Sequence, residues 1–527
     1  MKKLFLLLFV LFSVKNSLAN GEAPFTIELE AMNIPGAPGI HSYVYGKYEN
    51  KWLFLAGRTN GLHGMTPATA FPRPFANKMI YVVDHVTNQV WSKNIFNDLT
   101  ITQADPLRST NLQGIQVGTK LYICGGYGLD SALGNFVTFP VFTVIDVPGI
   151  MNAVVNNTSI APHIKQVTDL RIQLAGSDLE YMDGFFYLVG GNKFTGIYMP
   201  PPMQSNQQYS NSYKKFKITE AGSNISITDY TEYIDTVNLH RRDLNVAPAV
   251  KPDGSFYTII YGGVFKYEAD LPFENPVYID ANGYTVDMTF TQKMSQYHTA
   301  RLSMFDSVSG KMFTTLFGGI SLNDYDNGNF IRDTLVPFID DITLITRNAN
   351  GTTEEKVLPV KLPGLLGSNA EIITLDNIPK YENDVLKFKS LTGRTLVGHF
   401  YGGIRATLPN MGPSTANDVI YKVYVTPKTV NIENISGNIP ESFGLTQNYP
   451  NPFNPLTTIN FKIAKAGDVN LKVYDLMGRE VKSLFAGFLN AGEYNVKFDA
   501  GYLASGIYFY KLTTPGFSDT KKMTLIK

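Results

Sequence analysis

The chain has 527 residues, more than one hydrophobic core normally organises, so its length favours several domains or one large repeat architecture with an appendage. Its 45 basic and 45 acidic residues cancel, which argues against binding to nucleic acid through a bulk positive field. The 30 tyrosines, 34 phenylalanines, 45 glycines and 29 prolines are typical of short strands joined by turns, and we expect an all-β protein.

The first residues have the pattern of an export signal. A positively charged start precedes the apolar run Leu4–Phe12, and Ser17-Leu18-Ala19 is a small-x-small cleavage pattern. The run is shorter than the roughly 20 residues that span a bilayer, so we predict no transmembrane segment. We expect recognition by the general secretion machinery and cleavage after Ala19.

An apolar strand that ends in glycine recurs six times between residues 52 and 404. Successive copies lie 56 to 84 residues apart, which leaves room for about four strands in each interval. The marking glycines are Gly57, Gly125, Gly126, Gly190, Gly191, Gly262, Gly263, Gly318, Gly319, Gly402 and Gly403.

This order, an inner strand that ends in Gly-Gly and then an outer hairpin with an aromatic residue, resembles the kelch-type β-propeller. The resemblance implies six blades over about residues 25–430, with glycine wherever a side chain would collide with the neighbouring blade. Phe25–Ala31 is expected to supply the outer strand of the last blade, which would leave no exposed edge. The first unit departs from the pattern, since Ala56 replaces a glycine, and most outer tryptophans of the family are absent. A large sandwich with glycine-rich turns is the alternative.

The end of the chain carries a second set of landmarks. It begins with Tyr449, Pro450, Asn451, Pro452, Phe453, Asn454 and Pro455. The segments VYDLMGREV, AGEYNVKFD, LASGIYFYKL and KKMTLIK follow in order. These landmarks resemble the type A C-terminal sorting domain of type IX secretion system cargo proteins of Bacteroidetes-like bacteria. Alternating apolar residues, with Gly478 and Gly506 at turns, independently favour a small β-sandwich of about seven strands.

The second resemblance implies a route and a destination. Such domains are recognised by the outer-membrane secretion apparatus, and their cargo passes through the periplasm to be released or attached to the cell surface. We therefore divide the chain into a signal peptide at 1–19, a propeller at 20–430, a linker at 431–445 and a sorting domain at 446–527.

No catalytic motif occurs in the sequence, so a site would have to be gathered from single residues of different units. The best candidates lie just before the inner strands. If these strands surround a channel, polar groups before them converge on one mouth, where arginines bind carboxylates or sugar hydroxyls and an acid serves as base. The alternative is that these groups pair across blades and only line a solvated channel. The main candidates are Glu180, His240, Arg241, Arg242, Asp243, His298 and Arg301, with His41, Ser42, Asn111, Asn369 and Glu371 at comparable positions.

We predict no cofactor and no metal. Three histidines could bind a metal, but strand histidines are more often ordinary hydrogen-bonded residues. The loop Asn323–Asn329 has oxygen ligands for calcium, yet its glycine and acids do not follow the EF-hand spacing, so a simple turn is favoured. Cys124 is expected to be a buried small residue, unlike the crosslinked cysteine of copper-dependent kelch oxidases. The proline-rich stretch Tyr198–Tyr213 is either a ligand-contact loop or a disordered insert.

Two classes of function remain. The first is a secreted or surface-displayed propeller that binds a glycan or a protein. The second is a carbohydrate-active enzyme at the channel mouth, which requires a pocket where a carboxylate such as Glu180 or Asp243 meets two of the arginines.

Overall fold

The computed structural model describes residues 23–64, 66–198, 206–267, 270–410, 412–428, 432–436, 439–501 and 503–527. Strands account for 55% of it and helices for 6%, so the predicted all-β class is confirmed. The predicted signal peptide and its cleavage site at Ala19 lie outside the described residues.

Up to residue 428, the described residues form six large sheets, each built on four antiparallel strands, and two separate two-stranded hairpins. The first contains Val44–Tyr48, Lys51–Leu55, Met79–Asp84 and Gln89–Asn94. The second contains Thr110–Val117, Lys120–Asp130, Val141–Asp146 and Ile164–Thr168, and the third Asp178–Met182, Phe185–Val189, Ser212–Ala221 and Asn224–Ile234. The fourth contains Asn245–Val250, Phe256–Tyr261, Val277–Asp280 and Gly283–Val286. The fifth contains Ala300–Asp306, Lys311–Ile320, Phe338–Arg347 and Thr353–Lys361, and the sixth Ala370–Thr374, Thr395–Gly402, Ile420–Pro427 and Phe25–Met32.

Short strands, hairpins and helices accompany these sheets. Asn135–Thr138, Asn192–Thr195 and Asn206–Tyr209 extend the second sheet, and Leu386–Lys387 pairs with the fifth. Separate hairpins are Asn323–Asp326 with Asn329–Arg332 and Ile404–Ala406 with Ser414–Ala416. The α-helices are Ile101–Ala104 and Val147–Val155. The 3-10 helices are Arg73–Phe75, Ile95–Asn97, Pro106–Arg108, Ala161–His163, Leu170–Ile172 and Phe388–Ser390.

Hydrophobic cores lie between successive sheets. Leu53 of the first sheet shares a core with Leu121 of the second, and each later sheet shares a core with the next in the same way. Trp52 and Phe54 of the first sheet also share a core with Tyr401 of the sixth. A sheet covered on both faces needs apolar residues at successive positions, and this explains why strands such as Phe256–Tyr261 are apolar without alternation.

The predicted role of Phe25–Ala31 as an added outer strand is confirmed. Phe25–Met32 pairs antiparallel with Ile420–Pro427, from Phe25 opposite Pro427 to Met32 opposite Ile420. Phe25 and Ile27 are buried against the fifth sheet's core, so the strand contributes packing as well as hydrogen bonds.

The glycine pairs lie where a strand approaches the backbone of the next sheet. Gly125 has φ +68° and Gly190 has φ +63°, in the left-handed region. A Cβ on Gly190 would lie 2.6 Å from the Arg241 carbonyl oxygen, and one on Gly125 would overlap the Leu174 carbonyl oxygen. Glycine is therefore required both by the backbone conformation and by the close approach of a neighbour.

The loss of stability that a side chain would cause at this close approach can be measured by comparing two glycines of the second sheet, Gly118 and Gly125. Gly118 has φ +60°, similar to Gly125, but an added Cβ there meets nothing within 4 Å. We expect Gly118→Ala to lower the unfolding free energy by about 1–2 kcal/mol through backbone strain alone. Gly125→Ala adds steric overlap and should cost roughly 2–5 kcal/mol in urea unfolding experiments. Equal losses for the two variants would contradict a close approach at Gly125.

Beyond residue 431 the described strands form one further assembly around its own core. The strands are Ile432–Ser436, Gly444–Leu445, Tyr449–Asn454, Leu456–Ile463, Gly467–Tyr474, Glu480–Leu489, Gly492–Asp499, Gly506–Thr514 and Phe517–Leu525. The core is drawn from residues between Leu445 and Leu525. Ile432–Ser436 pairs with Gly492–Asp499, so part of the segment predicted to be a linker extends this sheet.

Candidate functional site

Six residues with left-handed backbone mark the start of the first strand in the six sheets. We call them the hexad: Ser42, Asn111, Gly176, Asp243, His298 and Asn369. The amide of Gly176 donates to the Asn111 carbonyl at 2.9 Å, and the amide of Asp243 donates to the Gly176 carbonyl at 2.7 Å. The amide of Asn369 donates to the His298 carbonyl at 2.8 Å, and that of Ser42 to the Asn369 carbonyl at 3.5 Å. These bonds join the second sheet to the third, the third to the fourth, the fifth to the sixth and the sixth to the first.

Hexad side chains also bind one another. The Asn111 amide donates to Asp243 Oδ1 at 3.1 Å, and His298 Nδ1 lies 3.8 Å from the same oxygen. Ser42 Oγ donates to Asn369 Oδ1 at 2.8 Å. Burial opposes the charged form of Asp243, but His298 and Arg242 outweigh burial and hold the pKa of Asp243 below its usual value. Asp243 is therefore an anion inside a network that neighbouring groups orient.

Arg242 lies beside the hexad among aromatic rings. Its Nε donates to the Tyr209 hydroxyl at 3.2 Å and lies 3.8 Å from Asp243 Oδ2. Its guanidinium carbon lies 5.4 Å from the centre of the Phe265 ring and 5.8 Å from that of Tyr198. Each ring is close enough for a cation–π contact, so the charge is held in place and partly shielded from water.

Further aromatic rings lie next to those around Arg242. The His240 ring stacks between Tyr209 and Tyr267, with ring centres 3.9 and 3.8 Å away. Tyr267 is exposed, and burial lowers the pKa of His240, so the imidazole is neutral near pH 7. Tyr209 and Tyr198 belong to the proline-rich stretch that the sequence singled out, of which residues 199–205 lie outside the described chain. Tyr267 was missed because nothing in its local sequence distinguishes it from other exposed tyrosines.

A second polar group lies further along the first strands, and we call it the Arg301 cluster. Arg301 Nη2 lies 2.9 Å from Asp178 Oδ2 and 3.6 Å from Glu180 Oε1, which brings together strands of the third and fifth sheets. Glu371 of the sixth sheet also interacts electrostatically with Arg301. Burial raises the pKa values of Glu180 and Glu371, although Arg301 opposes both shifts. Tyr45 borders the cluster, and burial together with Glu371 raises its pKa.

The three candidate arginines are divided among separate places. Arg301 meets Glu180, and Arg242 lies beside Asp243. Arg241 is 1% exposed and donates to the carbonyl oxygens of Asn238, Gly262 and Asn275 at 2.7 to 3.0 Å. These three bonds hold backbone inside the fourth sheet's unit.

No group of three or more histidine, cysteine, aspartate or glutamate side chains is placed to hold a metal ion among the described residues. The loop considered for calcium is a hairpin in which Asp326 and Asn329 flank the turn. Cys124 is fully buried, as predicted, and burial raises the pKa of its thiol. His41 is buried beside Ser42, and burial lowers its pKa to about 3.

The proline-rich strand near the chain's end is anchored by one buried side chain. Asn448 is 2% exposed, and its side-chain Nδ2 donates to Thr457 Oγ1 at 2.9 Å and to the Pro450 carbonyl at 3.0 Å. The Tyr510 hydroxyl accepts from the Asn448 backbone amide at 2.7 Å. Phe453 points into the core, whereas Tyr449 is 81% exposed. The side chain of Asn448 thus holds the Pro450 carbonyl in a strand whose prolines lack backbone N–H donors.

Residues 447–527 match the family model for the secretion system C-terminal sorting domain. No curated protein matches the chain. The match includes Tyr449–Pro455 and the turn at Gly478, so the sequence resemblance of the tail is confirmed.

The sorting domain determines what can be stated of the protein's route. It indicates export through the type IX secretion system, interaction with that machinery, and a secreted or cell-surface destination. In the described residues, no helix is both long enough and apolar enough to cross a membrane.

Proposed function

We propose that the protein is an exported six-bladed β-propeller that binds a glycan or protein ligand at the mouth formed by the hexad. The proposed boundaries are a signal peptide at 1–19, the propeller at 20–430, a linker at 431–445 and the sorting domain at 446–527. Export rests on the sorting domain, whereas the propeller and its binding role rest on the geometry of the six sheets.

Several contacts support a closed propeller of kelch type. Each sheet shares a hydrophobic core with the next, and the sixth shares one with the first. The hydrogen bond from Ser42 to Asn369 joins the same two sheets at the mouth. Phe25–Met32 completes the sixth sheet with a strand from the other end of the unit, which is how a ring of sheets avoids an open edge.

The observation that carries the binding role is Arg242 held between Tyr209, Phe265 and Asp243. An arginine oriented by an acid and flanked by rings offers a charged donor and an apolar face at one place, as glycan and protein ligands require. Because the donor is already fixed, a ligand that binds it loses little side-chain entropy.

Binding is tested by applying the purified protein to arrays of glycans and of cell-surface proteins. We expect saturable binding, and Arg242→Ala should weaken it at least about tenfold, since a charged hydrogen bond and its stacking are lost. Arg394→Ala is the matched control, because Arg394 also lies over a tyrosine ring beside a glutamate but on the outer strands of the sixth sheet. Absence of binding, or equal losses in both variants, would reject the mouth as a binding site.

The same preparation addresses catalysis. The raised pKa of Glu180 beside Arg301 is the property expected of a general acid, although only one candidate arginine meets this glutamate. Hydrolysis of chromogenic glycosides that disappears in Glu180→Gln or Asp243→Asn would replace the binding role by an enzymatic one. Binding without turnover supports the binding role.

A further inference from the structure

A cleft of about 410 Å3 lies between the fourth and fifth sheets. The cleft and the hexad lie at opposite ends of the first strands. In the fourth sheet, Asn245–Val250 begins beside Asp243 of the hexad and ends just before Lys251, which lines the cleft. Hairpin turns from both sheets surround it, including those around Pro252, Asn282 and Ala349. Its volume is within the range of about 300–1,000 Å3 that small-molecule sites occupy.

The cleft exists because the outer hairpin of the fourth sheet is short. Val277–Asp280 and Gly283–Val286 have four residues each. The corresponding strands of the third sheet have 10 and 11 residues, and those of the fifth have 10 and 9. The fourth sheet therefore ends before it covers the side of its neighbour, and Tyr257, Tyr278 and Met312 are left facing the gap.

The charges around the cleft are balanced in pairs. Lys251 Nζ lies 2.6 Å from Asp280 Oδ2. Arg347 Nη1 lies 3.5 Å from Asp287 Oδ2, and its guanidinium carbon lies 3.9 Å from the centre of the Tyr278 ring. A phosphate or carboxylate ligand would have to displace one of these acids, so the cleft favours an uncharged ligand.

The remaining lining combines aromatic rings with planar hydrogen-bonding groups. Tyr257, Tyr278 and Tyr284 supply rings, while Asn282 and Asn348 supply amides at the rim. A sugar ring has the complementary chemistry, since its C–H faces pack on aromatic rings and its hydroxyls both donate to and accept from amides and ion pairs. A purely apolar ligand would displace water from the exposed Asn282 amide and from the ion pairs without replacing its hydrogen bonds, at a cost in free energy.

We propose that this cleft is a binding site for an uncharged saccharide of one or two rings. The site is separate from the mouth at Arg242, so it stands or falls independently of the function proposed above.

The experiment uses the full exported protein and four uncharged probes, namely cellobiose, maltose, lactose and N,N′-diacetylchitobiose, with digalacturonate as the charged comparison. Saturation-transfer NMR and calorimetry should detect binding of at least one uncharged probe at millimolar concentration or below. If none binds, or if digalacturonate binds more tightly than all four, the proposal is overturned.

Two variants locate the bound sugar. Thr285 is exposed, lines the cleft and lies opposite Tyr278 on the outermost strand, so Thr285→Trp should occupy the cleft while suiting a strand. We expect at least a tenfold loss of affinity. Thr231→Trp is the matched control, because Thr231 is exposed on the outermost strand of the third sheet. Unchanged affinity in folded Thr285→Trp overturns the proposal.

A measurement on the unaltered protein tests the same site without depending on whether Thr285→Trp folds. Bound saccharide should slow amide hydrogen exchange in Val277–Asp280 and Gly283–Val286. Protection confined to segments away from the cleft would overturn the assignment whatever the variants do.

Discussion

Deletion of residues 447–527 is expected to leave the protein in the periplasm, with nearly complete loss of surface and medium delivery. The physical reason is that the deleted residues contain the matched sorting domain, whose core comes from its own residues. The measurement is cell fractionation with protease treatment of intact cells, followed by immunoblotting of the upstream region.

The matched experiment transfers the signal instead of removing it. A periplasmic reporter that carries residues 432–527 should appear outside the outer membrane. The longer segment is needed because Ile432–Ser436 pairs with Gly492–Asp499, and without it that strand is left at an open edge. Normal delivery of the truncated protein, or retention of the reporter, would be incompatible with the sorting assignment.

Arg301→Met is expected to lower the unfolding free energy by about 3–5 kcal/mol, because removing one partner of a buried ion pair leaves its counter-charges uncompensated. Arg301 contacts Asp178 and Glu180, and it also stabilises the charge of Glu371. Urea unfolding of the two proteins measures the effect. Arg394→Met removes an exposed arginine that contacts Glu28, and solvent screening should make its effect small.

The pH dependence of this loss gives an independent check. Burial already raises the pKa of Glu180, and without Arg301 that pKa rises further, so lowering the pH protonates the acid in the folded variant. A raised folded-state pKa contributes stability at pH values below the ordinary glutamate range, and this contribution is lost as the pH rises through the folded-state value. With Arg301 present the pKa of Glu180 is already raised to about 8, so below that pH both proteins hold the acid protonated. The deficit of Arg301→Met should therefore be smallest below about pH 8 and grow as the pH rises above it, and adding Glu180→Gln should restore part of the stability at that higher pH. A deficit independent of pH in both variants would mean that packing, not charge, explains the loss.

The sequence predicted which residues come together at the candidate site, but not what each side chain contacts there. Asp243, Asn111 and His298 were predicted to converge because they precede equivalent strands, and side-chain contacts connect them. Arg241 and Arg242 are adjacent in sequence, yet one binds buried carbonyl groups and the other lies among rings. The direction of each arginine side chain depends on the backbone conformation of the local turn, which could not be predicted from the sequence.

Two features were missed for different reasons. Asp178 could have been found, since residues two apart on a strand share a face and Glu180 was already a candidate. The cleft beside Tyr278 could not be found from local sequence, because it depends on the length of one hairpin relative to its neighbours. The sorting domain was identified because its landmarks are contiguous in the chain, whereas the mouth gathers single residues from six distant segments.

The pairing of Phe25–Met32 with Ile420–Pro427 has a consequence for when the protein can fold. Its partners are separated by about four hundred residues, so the last pairing carries a large loop-closure entropy and cannot form before nearly the whole upstream region has emerged. Until then Phe25 and Ile27 have no core to occupy, and the sixth sheet presents a free edge. The upstream region is therefore expected to stay incompletely folded until Ile420–Pro427 is available, when the two ends can meet.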